Sequence, residues 1–150
     1  MRVKLSSRAK RIRSQPDRWL TLSNTARWMN VPRSTVQRWM NEGLITFRQE
    51  HTHRPMISAN SVIEMVIRQN PDIPAHVIWK ALSQSYVGPI LLRPIQVKRL
   101  LRWDSKKLRK SGLLRIRLPF VNSHYYFPEQ VRQVQNEPWQ KYMQALEELG

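Results

Sequence analysis

The feature that most constrains this chain is a set of landmarks that recurs 69 residues apart. Trp39 and Leu108, Gly43 and Gly112, Leu44 and Leu113, Arg48 and Arg117, Ile57 and Tyr126, Val62 and Val131, and Met65 and Val134 all keep that spacing of 69. A single undivided core gives no reason for such a period. Two tandem copies of a small module do.

The first copy reads as helix, turn, helix, glycine stop, hairpin, closing helix. Ser23 caps a helix holding Ala26, Trp28 and Met29, and Asn30-Val31-Pro32 turns the chain. Ser34 then caps a second helix, Thr35 to Glu42, ended by Gly43. On it Val36, Trp39 and Met40 fall at i, i+3 and i+4 and form one apolar face, leaving Thr35, Gln37, Arg38 and Asn41 outward. Leu44–Phe47 and Met56–Ser58 are expected as the strands of a wing whose tip carries Arg48, His51, His53 and Arg54. Ser58 or Asn60 caps the closing helix with Val62, Ile63, Val66 and Ile67 inward. The His-x-His pair lacks the cysteines or clustered acids that would complete a metal site.

The segment 71–94 carries four prolines around one apolar helix, PAHVIWKALSQS, and reads as a structured connector. The second copy opens with a helix from Ile95 to about Arg102, with Val97, Leu100 and Leu101 inward. Asp104 caps SKKLRKS, which sets Lys106, Lys107, Arg109 and Lys110 around Leu108. Its wing, RIRLPFVNSHYYF, bears Arg115 and Arg117. Tyr125, Tyr126 and Phe127 adjoin a strand that should face the helices, so core packing is favoured over stacking on unpaired bases. Pro128 starts the closing helix, with Val131 and Val134 inward. Residues 137–150 read as a separate amphipathic helix with Trp139, Tyr142, Met143 and Leu146 on one side; folding back and pairing with another chain are both open. The expected architecture is therefore mainly α with small β wings (α+β), organised as 1–18 arm, 19–70 first module, 71–94 helical connector, 95–136 second module and 137–150 terminal helix.

Charge points to the partner. Lys and Arg number 26 against 10 Asp and Glu, a net charge of +16, and 41% of residues are hydrophobic. A chain with that much apolar material is more than a solvated tail. Excess positive charge on a folded surface favours a polyanion, nucleic acid phosphate first and an acidic membrane surface as the rival. The arm at 1–18 holds seven Lys or Arg and one acid, with Arg11 and Arg13 as its candidate phosphate or minor-groove contacts; an organellar transit peptide is the other reading of so Arg-rich a start. No apolar run is long enough to span a membrane, and no cysteine is present for a disulfide or thiolate site.

The outward side chains of the second helix are the types that pair with base edges in a major groove. The lysines of the second copy neutralise phosphates as point charges and read bases less well, so the two copies divide selection and holding between them. No paired acids, cysteine nucleophile or histidine cluster suggests catalysis.

The order Ala26, Val31, Ser34, Val36, Arg38, Trp39, the Asn-Glu-Gly-Leu turn at 41–44 and the return His-Arg-Pro-Met-Ile at 53–57 resembles the winged helix-turn-helix of MerR-type regulators and phage excisionases. The likeness covers residues 20–69 well and 95–136 loosely, since the distance from Ala26 to Gly43 has no clean equivalent in the second copy. It implies that Arg33, Thr35, Gln37 and Arg38 lie nearest the bases in the major groove, with Arg48, His53 and Arg54 on backbone or minor groove; Ser34 and Asn41, on the same helix, are further candidate DNA contacts. Carried to the second copy, it implies DNA contacts at Lys106, Lys107, Arg109, Arg115 and Arg117, and Lys110, on the same basic helix, is a further candidate. Neither the long dimerisation helix nor the effector domain of MerR-type regulators is evident, which suits a small DNA-bending excisionase better. The resemblance thus implies a double-stranded DNA-binding protein of a bacterial cytoplasm or its phage, close to the nucleoid, acting in recombination or transcription. It implies no cofactor and no small-molecule effector; a recombinase or a second copy of the chain is the candidate protein partner. A structural RNA-binding component of a ribonucleoprotein is the alternative for so basic a chain.

Overall fold

A computed structural model describes residues 16–49 and 54–149, with the backbone alone over 138–141. Among the described residues the chain forms seven helices and one small antiparallel sheet, an α+β architecture dominated by helix. Strand β1 (Trp19–Thr21) leads into α1 (Leu22–Met29) and α2 (Arg33–Asn41). Strands β2 (Phe47–Arg48) and β3 (Met56–Ser58) precede α3 (Ala59–Gln69). Then follow α4 (Ala75–Leu82), α5 (Pro94–Leu101), α6 (Ser105–Lys110) and α7 (Pro128–Leu149). The strand order is β1-β3-β2, with Leu20 and Phe47 on either side of Ile57.

Local chemistry explains where the elements begin and end. Helix α1 starts earlier than Ser23 suggests, because the Thr21 hydroxyl accepts from Asn24 N–H at 3.1 Å. Helix α2 likewise starts before Ser34: Pro32 occupies its N-cap without a side-chain hydrogen bond, its fixed φ suiting the entry. Its exit is a glycine cap, in which Gly43 takes φ +71° and Leu44 N–H returns to the Trp39 carbonyl at 2.9 Å. That closure uses Leu44, and so β2 begins at Phe47 rather than at Leu44. Ser58 caps α3, and the Asp17 carboxylate adds acceptors for the Ser58 hydroxyl and for Asn60 N–H. With Ala59 N–H bonded to the Arg18 carbonyl at 2.8 Å, Asp17 and Arg18, assigned to the arm from sequence, are tied into the sheet end. β1 itself was not expected from sequence.

The second half follows a similar course, with a shorter second helix. Helix α5 has eight residues like α1, and each ends at a left-handed residue with φ +57°, Asn30 and Arg102, 72 positions apart. Helix α6 starts 72 residues after α2 but has six residues against nine, so the offset falls to 69 by Gly112, which takes φ +78°. From there 69 holds: α3 and α7 begin at Ala59 and Pro128. Leu92 bridges Tyr126 as Leu20 pairs with Ile57, while Ile116 bridges Tyr125.

The halves do not stand apart. One large core takes Trp28, Trp39, Val36, Ile57 and Ile63 from the first half, Ile78, Leu82 and Leu91 from the expected connector, and Ile116, Leu118, Tyr125 and Phe127 from the second wing. A smaller core holds Val97, Leu108, Tyr126 and Val131. Polar links seal the junction. Asn30 donates to the Leu91 carbonyl at 3.1 Å and to Gln96 Oε1 at 2.9 Å, while its own carbonyl accepts from the Tyr125 hydroxyl at 3.0 Å. Buried Asn70 acts as a strand partner for Arg117, accepting from its N–H at 2.8 Å and donating to its carbonyl at 3.0 Å.

One boundary differs outright from the sequence reading. The closing helix and the terminal amphipathic helix are a single helix, α7, whose backbone stays helical through Pro138. An internal proline removes one hydrogen bond and crowds the preceding turn, at about 3 kcal/mol, while the flanking Glu, Gln, Leu, Met and Ala, without glycine, all favour helix.

Candidate nucleic-acid interface

Helix α2 is two-faced. Val36 and Trp39 are fully buried, and the Trp39 indole N–H donates to the Pro119 carbonyl at 2.8 Å. With that side anchored, Arg33, Ser34, Gln37, Arg38 and Asn41 are exposed and Thr35 is half-buried. Every exposed side chain from Arg33 to Asn41 can hydrogen-bond, and none is acidic. The wing follows. Arg48 is exposed and its guanidinium carbon lies 4.1 Å from the centre of the Trp19 ring; Arg54 is exposed. Such exposed cation–ring contacts are worth about 0.5–1 kcal/mol each, enough to bias a rotamer rather than to hold a fold. Arg11, Arg13 and His53 lie outside the described residues.

On α6, Lys106, Lys107, Arg109 and Lys110 are exposed around buried Leu108. The Asp104 carboxylate caps the helix by accepting from Lys107 N–H at 2.7 Å, and Lys107 Nζ stands 5.3 Å from the Trp103 ring centre. Arg115 is exposed and donates to the Arg109 carbonyl at 2.6 Å, joining α6 to the second wing. Arg117 is exposed, its backbone held by Asn70. Among the described residues, no hydrogen bond or ring contact joins α6 to α2. What does touch α2 is the second wing: Arg38 lies 3.9 Å from the centre of the Phe120 ring, beside the Trp39–Pro119 bond.

Two neighbours of these residues were not singled out from sequence. His124 faces Arg115 and Arg117; partial burial, then the repulsion of those two arginines, lowers its pKa below the ordinary histidine value. Its place in the wing, next to the alternating arginines of 115 and 117, was the available signal. Phe120 is exposed at the tip of a turn, where sequence shows only an ordinary apolar residue beside a proline. Tyr125, Tyr126 and Phe127 are buried, which removes them as stacking platforms for unpaired bases.

The rest of the surface offers other chemistry. A groove of about 570 Å³ between α4 and α7 is lined by Ile90, Leu92, Leu100 and Val131, with Glu129 and Arg132 as the charged side chains on its wall. One acid beside one base gives it little attraction for phosphate. Among the described residues no cluster of three His, Cys, Asp or Glu could hold a metal ion, and no helix is long and apolar enough to cross a membrane. Comparison with known proteins returned no matching family model, no matching curated protein and no matching solved structure.

Proposed function

We propose that this chain is a double-stranded DNA-binding protein built from two winged-helix units, acting by binding and bending rather than by catalysis. The observation that carries the reading is the outward face of α2, where Arg33, Ser34, Gln37, Arg38 and Asn41 stand exposed on a helix fixed from behind by fully buried Val36 and Trp39. A rigid helix presenting hydrogen-bonding and cationic groups, and no acid, suits insertion into a major groove. Arg48 and Arg54 then flank it as backbone contacts, and Lys106, Lys107, Arg109, Lys110, Arg115 and Arg117 hold phosphates along the same duplex. Such a protein serves as an excisionase-like recombination factor or a transcription regulator, with a recombinase or a second copy of itself as the protein partner.

The test is selection from a random duplex pool with purified protein, followed by footprinting and competition. A selected site about two turns long, lost steeply between low and moderate salt, supports the proposal. Equal or better competition by structured RNA would transfer the protein to a ribonucleoprotein role and end it.

A further inference from the structure

The turn at Leu118–Val121 presses the second half of the chain against the reading helix of the first. Val121 N–H bonds to the Leu118 carbonyl at 3.4 Å, Pro119 is the second residue, and Phe120, the third, takes φ +61°. A turn with proline second and positive φ third favours glycine in the third place. Phenylalanine is strained there. Burial offsets the strain only in part, because Phe120 is 48% exposed. The ring instead makes one directed contact, 3.9 Å from its centre to the Arg38 guanidinium carbon. The turn beneath it is firmly seated: Leu118 and Pro119 are buried, and the Pro119 carbonyl is bonded by Trp39, the residue next to Arg38. Among the described residues Arg38 donates no side-chain hydrogen bond, so its guanidinium is steadied by the ring while its donors stay available.

We infer that Phe120 is a positioning residue for Arg38, so that the wing of the second half sharpens the base preference of the first. The inference rests on α2 being the DNA-reading helix. An arginine that must freeze several torsions on reaching a guanine edge loses part of its contact to entropy. A side chain already held over an aromatic face loses less, and a paired donor contact becomes more selective.

The experiment measures dissociation constants for the selected duplex and for an unrelated duplex at one salt concentration. It compares the wild type with Arg38→Ala, Phe120→Gly, Phe120→Tyr and the double variant Arg38→Ala/Phe120→Gly. Phe120→Gly should melt close to wild type, since glycine suits the turn, yet its ratio of selected to unrelated affinity should fall by about two- to fivefold, the worth of one exposed cation–ring contact. Phe120→Tyr should keep the ratio, and the double variant should lose no more than Arg38→Ala alone. A ratio unchanged in Phe120→Gly but lost in Arg38→Ala overturns the positioning role, as does an additive loss in the double variant. If Arg38→Ala also leaves the ratio unchanged, α2 is not the reader and the underlying proposal fails with it.

Discussion

The two halves of the molecule share a course but not a balance of dependence. Each carries a base five residues before its stop glycine, Arg38 before Gly43 and Lys107 before Gly112, and each base lies over an aromatic ring. In the second half the ring is Trp103, from the turn just before the same helix. In the first half it is Phe120, borrowed from the other half. The packing repeats this contrast: the second wing completes the large core around Trp28 and Trp39, whereas the second helices rest on the small core around Leu108. A tandem repeat need not mean two beads on a string. Here the two halves share one large core, and α2 is braced by the turn at 118–121 of the second half.

Cutting that brace gives the largest expected effect. A fragment ending at Asn70 loses Ile78, Leu82, Leu91, Ile116, Leu118, Tyr125 and Phe127 from the large core. It should show no cooperative thermal transition, while the full chain should unfold with coincident fluorescence and circular-dichroism transitions across that core. A fragment that melts cooperatively would restore the picture of independent beads. Next in size is Asn70→Ala, which strips partners from the Arg117 backbone at a half-buried junction and removes the buried bond to the Val66 carbonyl. Two unsatisfied groups should cost about 2–4 kcal/mol in denaturant titration; a loss below about 0.5 kcal/mol, the level of an ordinary surface change, would mean that the clamp is dispensable.

Much of this was legible in the sequence because it is local. The caps at Ser58 and Asp104, the stop at Gly43 and the start of α7 at Pro128 follow from residues within one turn. The apolar spacing of Val36 and Trp39 likewise separates the buried face of α2 from its exposed one. What escaped was the non-local part. The entry helices align poorly at 69 because their offset is 72, and only the short α6, six residues against nine in α2, reveals where the offset changes. β1 has three residues and no period to detect. Nothing near Phe120 in sequence announces Arg38, 82 positions away, and the contact exists only once Trp39 and Pro119 have been brought together.

Binding measurements should separate the halves in kind. Replacing Lys106, Lys107 and Lys110 together by alanine removes three exposed point charges from α6. The slope of log affinity against log salt should fall by about 2–3, with sequence preference nearly intact. Gln37→Ala should do the reverse, weakening the selected duplex by about 1–3 kcal/mol at an unchanged slope. If the lysine variant also scrambled preference, α6 would be reading bases and the division of labour between the halves would be lost.

The smallest effect sits where the second wing gathers its charge. His124 has its pKa lowered by burial first and by Arg115 and Arg117 after that, so at neutral pH it is uncharged in the fold. The unfolded chain takes up the proton near pH ~6.5, before the folded chain does. Stability from this group is therefore complete above that pH and declines as pH falls through the lowered folded value, below which the loss stops growing. Phosphate bound between Arg115 and Arg117 would offset their repulsion and draw the proton back on, so duplex binding should take up a proton in the same window. Affinity for DNA should then strengthen on acidification more in the wild type than in His124→Gln, while the free protein loses more stability in the wild type. Opposite signs from one residue separate a phosphate-facing wing from a merely crowded one: if the two proteins differ in stability but not in the pH dependence of binding, no phosphate reaches His124, and the holding role narrows to α6.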